Sequence, residues 1–494
     1  MMVAVVAAMT LGELLGPAAG IHSELEVTDL VSDSRQVTPG AAFIALKGET
    51  SHGLDFAGRA LASGAAAVLY EPAAESDQHL VAGMQGPAVE VLGLRDQLGE
   101  LGRRFYGSAE PADELIGVTG TNGKTTVAWL VAQALTDLDR PCAYLGTLGQ
   151  GMPGALAPQS LTTPDCMSLH QALASFGTSN AAIEVSSHAL AQDRVAGLDF
   201  SIAAFTNLTR DHLDWHGNMD AYFEAKARLF VRPGLRAAVI NADDACAEAL
   251  LGRLAPETQA LSIGFNNPAA TLRGRVCSSS LSGTVLEVES NRGAVRVESP
   301  LVGSFNGENL LVALGIMLAA DTELTVAGEV LGRAVAPPGR MEVFGGSDAS
   351  PWVVVDYAHT PNALERVLGE LSTASAGELT CVFGCGGERD QGKRGLMGQA
   401  AARYAAHIVL TDDNPRSEDP AAIVADIKSG IGRHPDLRVQ HARELAIADA
   451  IESAGPGDIV LIAGKGHEST QHSGDEARAF DDRVVVRQAL EAVS

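Results

Sequence analysis

Positive charge is scarce in this chain, and paired cysteines are absent. Lysine and arginine together number 35 against 61 aspartates and glutamates, a net charge of −26 over 494 residues. Phosphate backbones would be repelled by such a surface, and no basic stripe with interleaved aromatics runs along it, so nucleic acid is not an expected partner. The six cysteines, Cys142, Cys166, Cys246, Cys277, Cys381 and Cys385, form no Cys-x-x-Cys pair. That spacing speaks against a disulfide frame or a zinc site and for reduced thiols in a cytoplasmic setting. No lysine or arginine precedes Arg35, so the charged start of a signal peptide is missing, and Thr10 with Glu13 reads instead as a helix-capping box. No apolar run is long enough to span a bilayer, and there is no tandem repeat or low-complexity tract. The expectation is a cytoplasmic monomer without membrane insertion, whose anionic ligands are small molecules held by local cations.

What is present is concentrated between Gly117 and Thr126. Leu115, Ile116 and Val118 form an apolar strand, and Val127, Leu130, Val131, Ala134 and Leu135 follow at helical spacing. Between them lies Gly120-Thr121-Asn122-Gly123-Lys124-Thr125-Thr126. Glycines let the backbone approach oxygen atoms, successive N–H groups and the helix N-terminus supply positive potential, Lys124 reaches terminal phosphates, and the Thr125 hydroxyl can ligate Mg²⁺. Gly117 stands one residue too early for the strict phosphate-loop spacing, so Gly120 begins the frame. A nucleotide polyphosphate with Mg²⁺ is the implied ligand pair, and nucleotide hydrolysis or transfer the starting hypothesis.

Length suggests roughly three domains. Short β-rich runs at 41–46, 65–70 and 88–92 make a small α/β unit, taken as residues 1–112. Residues 113–336 should hold a doubly wound sheet with strands at 115–119, 181–185, 202–207 and 237–241, β-hairpins over 273–302 and a helix over 309–319. The pattern breaks around Pro337-Pro338-Gly339-Arg340, and βα alternation restarts with strands at 352–356, 381–384, 408–411 and 459–463, defining residues 337–494. The fold class is therefore α/β: a central doubly wound phosphate-loop sheet between a small N-terminal α/β domain and a Rossmann-like C-terminal one. Ligands should gather beyond the carboxyl ends of the strands, where Glu184, Asn207, Asp356, Gly386, Asp412 and Gly464 fall.

Several side chains there carry chemistry. Glu184, at the end of a buried strand, can face a Mg²⁺ held by phosphates and Thr125. The run Asn207 to His216 is dense in metal- and phosphate-binding groups; it reads either as a solvated loop or as the source of a second magnesium ligand, His212. Lys226 shares a helix face with Tyr222, Phe223, Leu229 and Phe230. Desolvation there would favour the neutral amine, which can add CO₂ to become a carbamate; the other reading is a lysine whose head snorkels to water. In the last domain, Gly384–Asp390, Thr411–Arg416 and Ala463–Glu468 offer arginines, turns and a carboxylate suited to an amino acid with several charged ends.

Thr119 to Thr126, Glu184 to His188, Asn207 to His216, Asn306 to Asn309, Arg340, Asp356 to Pro361 and Asp413 to Arg416 occur in the order shown by the Mur ligases, the ATP-dependent amide-forming enzymes of peptidoglycan synthesis, which the chain resembles over nearly its whole length. Within that family it is most similar to the members that add the third stem-peptide residue to UDP-N-acetylmuramoyl-L-alanyl-D-glutamate. The resemblance implies that Ser32, Ser34, Glu49, Thr50 and Ser51 contact the UDP moiety, and that Thr162, Thr163, Ser186, Gln192 and Arg194 contact the rest of that substrate. His52-Gly53-Leu54 replaces the family's usual Asp-Gly-His, and Leu161 replaces an asparagine.

The same resemblance makes Lys226 a carbamylated lysine and His212 a magnesium ligand, and has Asn306, Arg340, Asp356 and His359 help the phosphate loop hold ATP. Arg389, Asp413, Asn414, Pro415, Arg416, Gly464 and Glu468 would form the amino-acid pocket. The Asp-Asn-Pro-Arg form goes with meso-diaminopimelate, and Arg416 would repel the terminal ammonium of L-lysine but grip the extra carboxylate of diaminopimelate while Glu468 pairs its distal ammonium. Catalysis would rest on Lys124, Glu184, His212 and Lys226, and would pass through an acyl phosphate. The competing readings are a sister ligase adding another residue, a folylpolyglutamate-type synthase, and a nucleotide-driven switch or scaffold.

Overall fold

The structure is a computed structural model and describes residues 8–48, 51–72, 78–107, 113–178, 180–347, 349–374, 377–474 and 476–493. It divides into two compact units, one running to Ser262 and taking in Ala319–Asp321, the other formed by Ile263–Leu318 and the chain from Thr322 onward. No helix among the described residues is long and apolar enough to cross a membrane.

In the first unit, Asp29–Val31, Ala41–Ala45, Ala67–Tyr70 and Ala88–Glu90 form a four-stranded parallel sheet. The helix Leu94–Tyr106 docks it onto the helix Cys166–Ser175. Leu101, Phe105 and Tyr106 share one apolar cluster with Cys166 and Met167, and a Cβ on Gly102 would stand 2.5 Å from the His170 ring. Tyr106 Oη donates to Asp29 at 2.5 Å, and the Gln171 amide donates to the same carboxylate at 2.9 Å. This shared core is why residues on either side of the segment around Pro111, which lies outside the described residues, pack as one unit.

The main sheet of this unit runs, in spatial order, Cys142–Gly146, Asn180–Glu184, Glu114–Thr119, Ile202–Phe205 and Ala237–Asn241, all parallel. Every residue of these strands is buried, as expected when helices cover both faces of a parallel sheet. The chain starts at Glu114–Thr119 in the middle, moves to one side and then returns to the other. The carboxyl end of that first strand is thus the topological switch point, where open α/β sheets bind ligands. Residues 115–119, 181–185, 202–207 and 237–241 are strands close to the expected bounds. Cys142–Gly146 was not anticipated: its Cys-Ala-Tyr-Leu-Gly run has no β-branched residue and none of the alternation that marks a strand.

In the second unit, Leu272–Ser280, Gly283–Ser290 and Gly293–Ser299 form the expected antiparallel hairpins, with Leu286 and Val288 inward and Arg273–Glu289 and Arg275–Glu287 paired across the exposed face. The helix Ser304–Ala319 follows, beginning five residues earlier than its apolar pattern suggests. A six-stranded sheet, ordered Glu342–Gly345, Trp352–Asp356, Ile459–Ala463, Leu379–Phe383, His407–Leu410 and Leu437–Val439, is parallel apart from its first strand. It brings the loops beginning at Gly384, Thr411 and Gly464 to one edge.

Candidate active site

The phosphate-loop turn depends on its glycines. Gly120 has φ +146°, and a Cβ there would stand 1.9 Å from Thr206 Oγ; Gly123, at φ +86°, opens the helix Lys124–Asp137. The neighbouring strand end braces the turn: Thr121 N donates to Asn207 O at 2.8 Å, Asn122 N to Asn207 Oδ1 at 2.9 Å, and Thr206 Oγ to Asn122 O at 2.6 Å. Lys124 Nζ donates to Gly120 O at 3.0 Å and Thr121 O at 2.9 Å, which holds the ammonium over the loop. Thr126 is buried one residue further into the helix.

Thr125 Oγ donates to Glu184 Oε2 at 2.9 Å, so the predicted pair of magnesium ligands is assembled. Glu184 is 1% exposed and also accepts from Tyr144 Oη and from the Thr147 amide at 2.8 Å. Two hard oxygen donors beside a polyphosphate turn fit Mg²⁺. The described residues contain no group of three or more His, Cys, Asp or Glu arranged to hold a metal. His212 stands in an aromatic cluster, with its ring centroid 4.8 Å from His188 and 6.2 Å from Tyr222. Its φ of +52° is strained for a residue with a side chain, a feature that recurs at functional positions.

Lys226 is 1% exposed. Its Nζ donates to Gly120 O at 2.7 Å and lies 4.5 Å from the centre of the Tyr222 ring, whose hydroxyl is 3.1 Å from Thr121 Oγ. Burial, reinforced by the nearby Lys124 charge, pushes the Lys226 amine well below its ordinary pKa. The snorkelling alternative is thereby overturned: helix Met219–Ala227 points the whole side chain into the phosphate-loop core.

A cavity of about 540 Å³ lies against the hairpins of the second unit, while one of about 700 Å³ in the first unit gathers Ser32 with Gln192 and Arg194. Lys47, Arg95 and Asp165 line the latter as well. Ser32 Oγ donates to Asp165 at 2.7 Å, and Arg194 donates to Thr163 O at 2.9 Å and to Gln192. Thr163 Oγ donates to Glu184 O at 2.6 Å and Ser186 N to Thr163 Oγ at 3.1 Å, while Thr162 Oγ is 3.1 Å from Thr147 Oγ; these threonines therefore connect the cavity to the Thr125–Glu184 pair. Ser34 is buried and does not line the cavity, Ser51 is exposed, and Glu49 and Thr50 lie outside the described residues. The His52-Gly53 departure has a local reason. His52 caps the following turn by accepting from Leu54 N at 3.1 Å, and a Cβ on Gly53 would meet the Ala45 backbone at 2.7 Å.

In the second unit, Asp413, Asn414 and Pro415 are buried, and Asn414 Nδ2 donates to Glu468 Oε2 at 2.8 Å. Arg416, at φ +53°, donates from Nη1 to Gly387 O at 2.7 Å, which leaves its other N–H groups for a ligand. Gly464 must be glycine, since φ is +114° and a Cβ would stand 2.6 Å from Asp413 Oδ2. Arg389 is exposed beside Gly386. Asp356 accepts from Met341 N and Ala358 N, each at 2.8 Å, and burial raises its pKa. Arg340 lies 4.4 Å from the Tyr357 ring, with its Nε buried and unpartnered, and His359 is exposed nearby. Asn306 donates to Val302 O at 2.7 Å and accepts from Asn309, so much of its amide serves the start of its own helix.

Three family models match in order along the chain: "Mur ligase family, catalytic domain" at residues 26–106, "Mur ligase middle domain" at 118–317 and "Mur ligase, glutamate ligase domain" at 339–466. A UDP-N-acetylmuramoyl-L-alanyl-D-glutamate--2,6-diaminopimelate ligase of Xanthomonas campestris pv. campestris (strain 8004) is 48% identical, over 98% of this chain and 97% of that protein. The chain belongs to the Mur ligase family. A ligase of the same name from Alkalilimnicola ehrlichii is 46% identical to this Mur ligase, covering 94% of it and 95% of the relative. A solved structure with that name is 39% identical, with a TM-score of 0.70, covering 98% of this chain and 99% of that one. Mycobacterium tuberculosis folylpolyglutamate synthase, complexed with ADP and AMPPCP, shares the fold at 20% identity and a TM-score of 0.60, covering 75% of this chain and 92% of that one.

Sequence reasoning did not single out Arg95 and Asp165 in the cavity, or Tyr144 and Thr147 on Glu184. Asp165 caps the helix Cys166–Ser175 two residues after Thr163, and that N-cap signature could have revealed it. Tyr144 lies on the strand that was not anticipated and Thr147 follows its end, and Gly146 between them must be small because a Cβ would lie 2.2 Å from Glu184 Oε1.

Proposed function

We propose that this chain joins an amine of meso-diaminopimelate to the free D-glutamyl carboxylate of UDP-N-acetylmuramoyl-L-alanyl-D-glutamate at the expense of ATP, acting in the cytoplasm. The observation that carries the reading is 48% identity, over 98% of the chain, to a ligase named for that reaction. The phosphate-loop residues, from Gly120 to Thr126, bind the triphosphate, with Asn306, Arg340, Asp356 and His359 assigned to the same nucleotide. The cavity holding Ser32, Gln192 and Arg194, supported by Thr163 and Ser186, takes the UDP-sugar peptide. Asp413 to Arg416, with Arg389, Gly464 and Glu468, takes the diamino acid.

In the first step a carboxylate oxygen attacks the γ-phosphorus, the bond to the bridging oxygen breaks, and ADP leaves an acyl phosphate behind. Lys124, fixed over the loop, offsets charge that builds on the phosphoryl oxygens. Bound Mg²⁺, held by Thr125 and Glu184 with His212, would supply further charge neutralisation there. In the second step the amine adds to the acyl carbon, phosphate departs and a proton is lost. No side chain forms a covalent bond to substrate, so positioning is the main catalytic contribution. Lys226, whose amine burial pushes well below its ordinary pKa, would carry a carbamate that helps orient the nucleotide and its Mg²⁺.

The test is ADP release and product mass with ATP, the UDP-dipeptide and either meso-diaminopimelate or L-lysine. ADP should form only when both co-substrates are present, and diaminopimelate should be preferred. Nucleotide hydrolysis that needs neither would favour the switch reading, and equal use of both diamino acids would overturn the specificity assignment.

A further inference from the structure

Lys465 is completely buried, yet it belongs to none of the roles described so far. Its ammonium has three partners: Glu468 Oε2 at 2.8 Å, Asn414 Oδ1 at 3.1 Å and Thr470 O at 2.7 Å. Asn414 completes the triangle by donating from Nδ2 to the same Glu468 oxygen, and its Oδ1 also accepts from His472 N at 3.0 Å. The two partner side chains come from different strand ends, and both belong to the proposed amino-acid pocket.

Two consequences follow from this geometry. Glu468 Oε2 is occupied by two donors, so Oε1 is the oxygen left to face a guest ammonium; the side chain is 32% exposed, enough to present it. A fixed cation 2.8 Å from the carboxylate also weakens its pull on a lone ammonium, such as the tail of L-lysine. A guest whose far end carries both charges depends less on that pull, because Arg416 can hold its carboxylate.

We propose that Lys465 is a positioning residue that sets amino-acid choice, orienting Asn414 and Glu468 and tempering Glu468 so that a zwitterionic side-chain end is selected over a purely cationic one. This rests on the reading of Asn414 and Glu468 as pocket residues. The experiment is steady-state kinetics of Lys465→Met, with KM measured separately for ATP, the UDP-dipeptide, meso-diaminopimelate and L-lysine. Losing hydrogen bonds to a charged group should raise KM for diaminopimelate about tenfold or more. KM for ATP and the UDP-dipeptide should stay put, and the diaminopimelate-to-lysine ratio of kcat/KM should fall. In a Glu468→Gln background the same change should add little, because the two act through one contact. If Lys465→Met does not fold, Lys465→Gln, which keeps a donor without the charge, is measured in its place.

A uniform rise in KM for every substrate, or an unchanged diaminopimelate-to-lysine ratio, overturns the proposal. Failure of the unaltered protein to use any diamino acid would instead overturn the ligase reading beneath it.

Discussion

Two lysines are almost wholly buried, and they differ in what meets the ammonium. Lys226, in the first unit, touches a backbone carbonyl and an aromatic face, and among the described residues no carboxylate pairs with it. Lys465, in the second, is held by Glu468, Asn414 and a carbonyl. The first environment destabilises the cation and favours a neutral, nucleophilic amine; the second stabilises the cation and makes it a fixture. Burial alone therefore does not assign a role, since the partner decides whether a buried lysine is chemically poised or structural.

The sharpest way to break this contrast is to remove each amine in turn. Lys226→Met should abolish ligation, by about three orders of magnitude or more if its carbamate orients the nucleotide's metal shell, while the melting temperature changes little because a costly buried amine is replaced by an apolar chain. Depleting CO₂ and bicarbonate should lower the activity of the unaltered protein, and mass spectrometry at mildly alkaline pH should find the added carboxylate. Retained activity in Lys226→Met would end the comparison.

Next in size is Gly120→Ala, which tests the turn that both Lys124 and Lys226 grip. Its Cβ would strike Thr206 at a backbone angle that side chains avoid, so a stability loss of at least about 1–3 kcal/mol and loss of nucleotide binding are expected, read by thermal melts and nucleotide titration. Arg416→Ala tests the other unit. Losing a charged hydrogen bond to substrate should lower kcat/KM for meso-diaminopimelate roughly tenfold to a hundredfold, with a smaller change for L-lysine. An equal loss for both would place Arg416 outside specificity.

The smallest effect concerns pH. His170 is buried beneath Gly102 with Nε2 2.9 Å from Ala196 O, and burial lowers its pKa. In the folded state it stays neutral below the ordinary histidine value of 6.5, where the unfolded chain takes up a proton. Its contribution to stability is present above that value and is lost as the pH falls beneath it. The melting temperature should therefore decline on acidification, and His170→Gln should flatten part of the slope. An unchanged slope would remove His170 from the account.

The phosphate loop was legible because its chemistry is contiguous. Glycine spacing, a lysine and two threonines between an apolar strand and a helix determine the turn by local sterics and hydrogen bonding. Runs such as Ile459–Ala463 and Ala237–Asn241 were legible as strands because unbroken apolar residues have no stable place except a covered sheet. Helical spacing set Lys226 among apolar neighbours but left open whether its head reached water; the fold decided that it does not.

Strand order could not be read in this way. Neither could the pairing of Ser32 with Asp165, 133 positions apart, the placing of Tyr144 and Thr147 on Glu184, or the capture of Asn414 and Glu468 by Lys465. Those arrangements arise where strand ends and loops distant in the sequence are brought together by the packing of sheets and helices. Local pattern reports only whether a segment is extended and which of its faces is apolar; which strands become neighbours is settled by the packing of the whole sheet and its helices, so tertiary structure alone decided who meets whom.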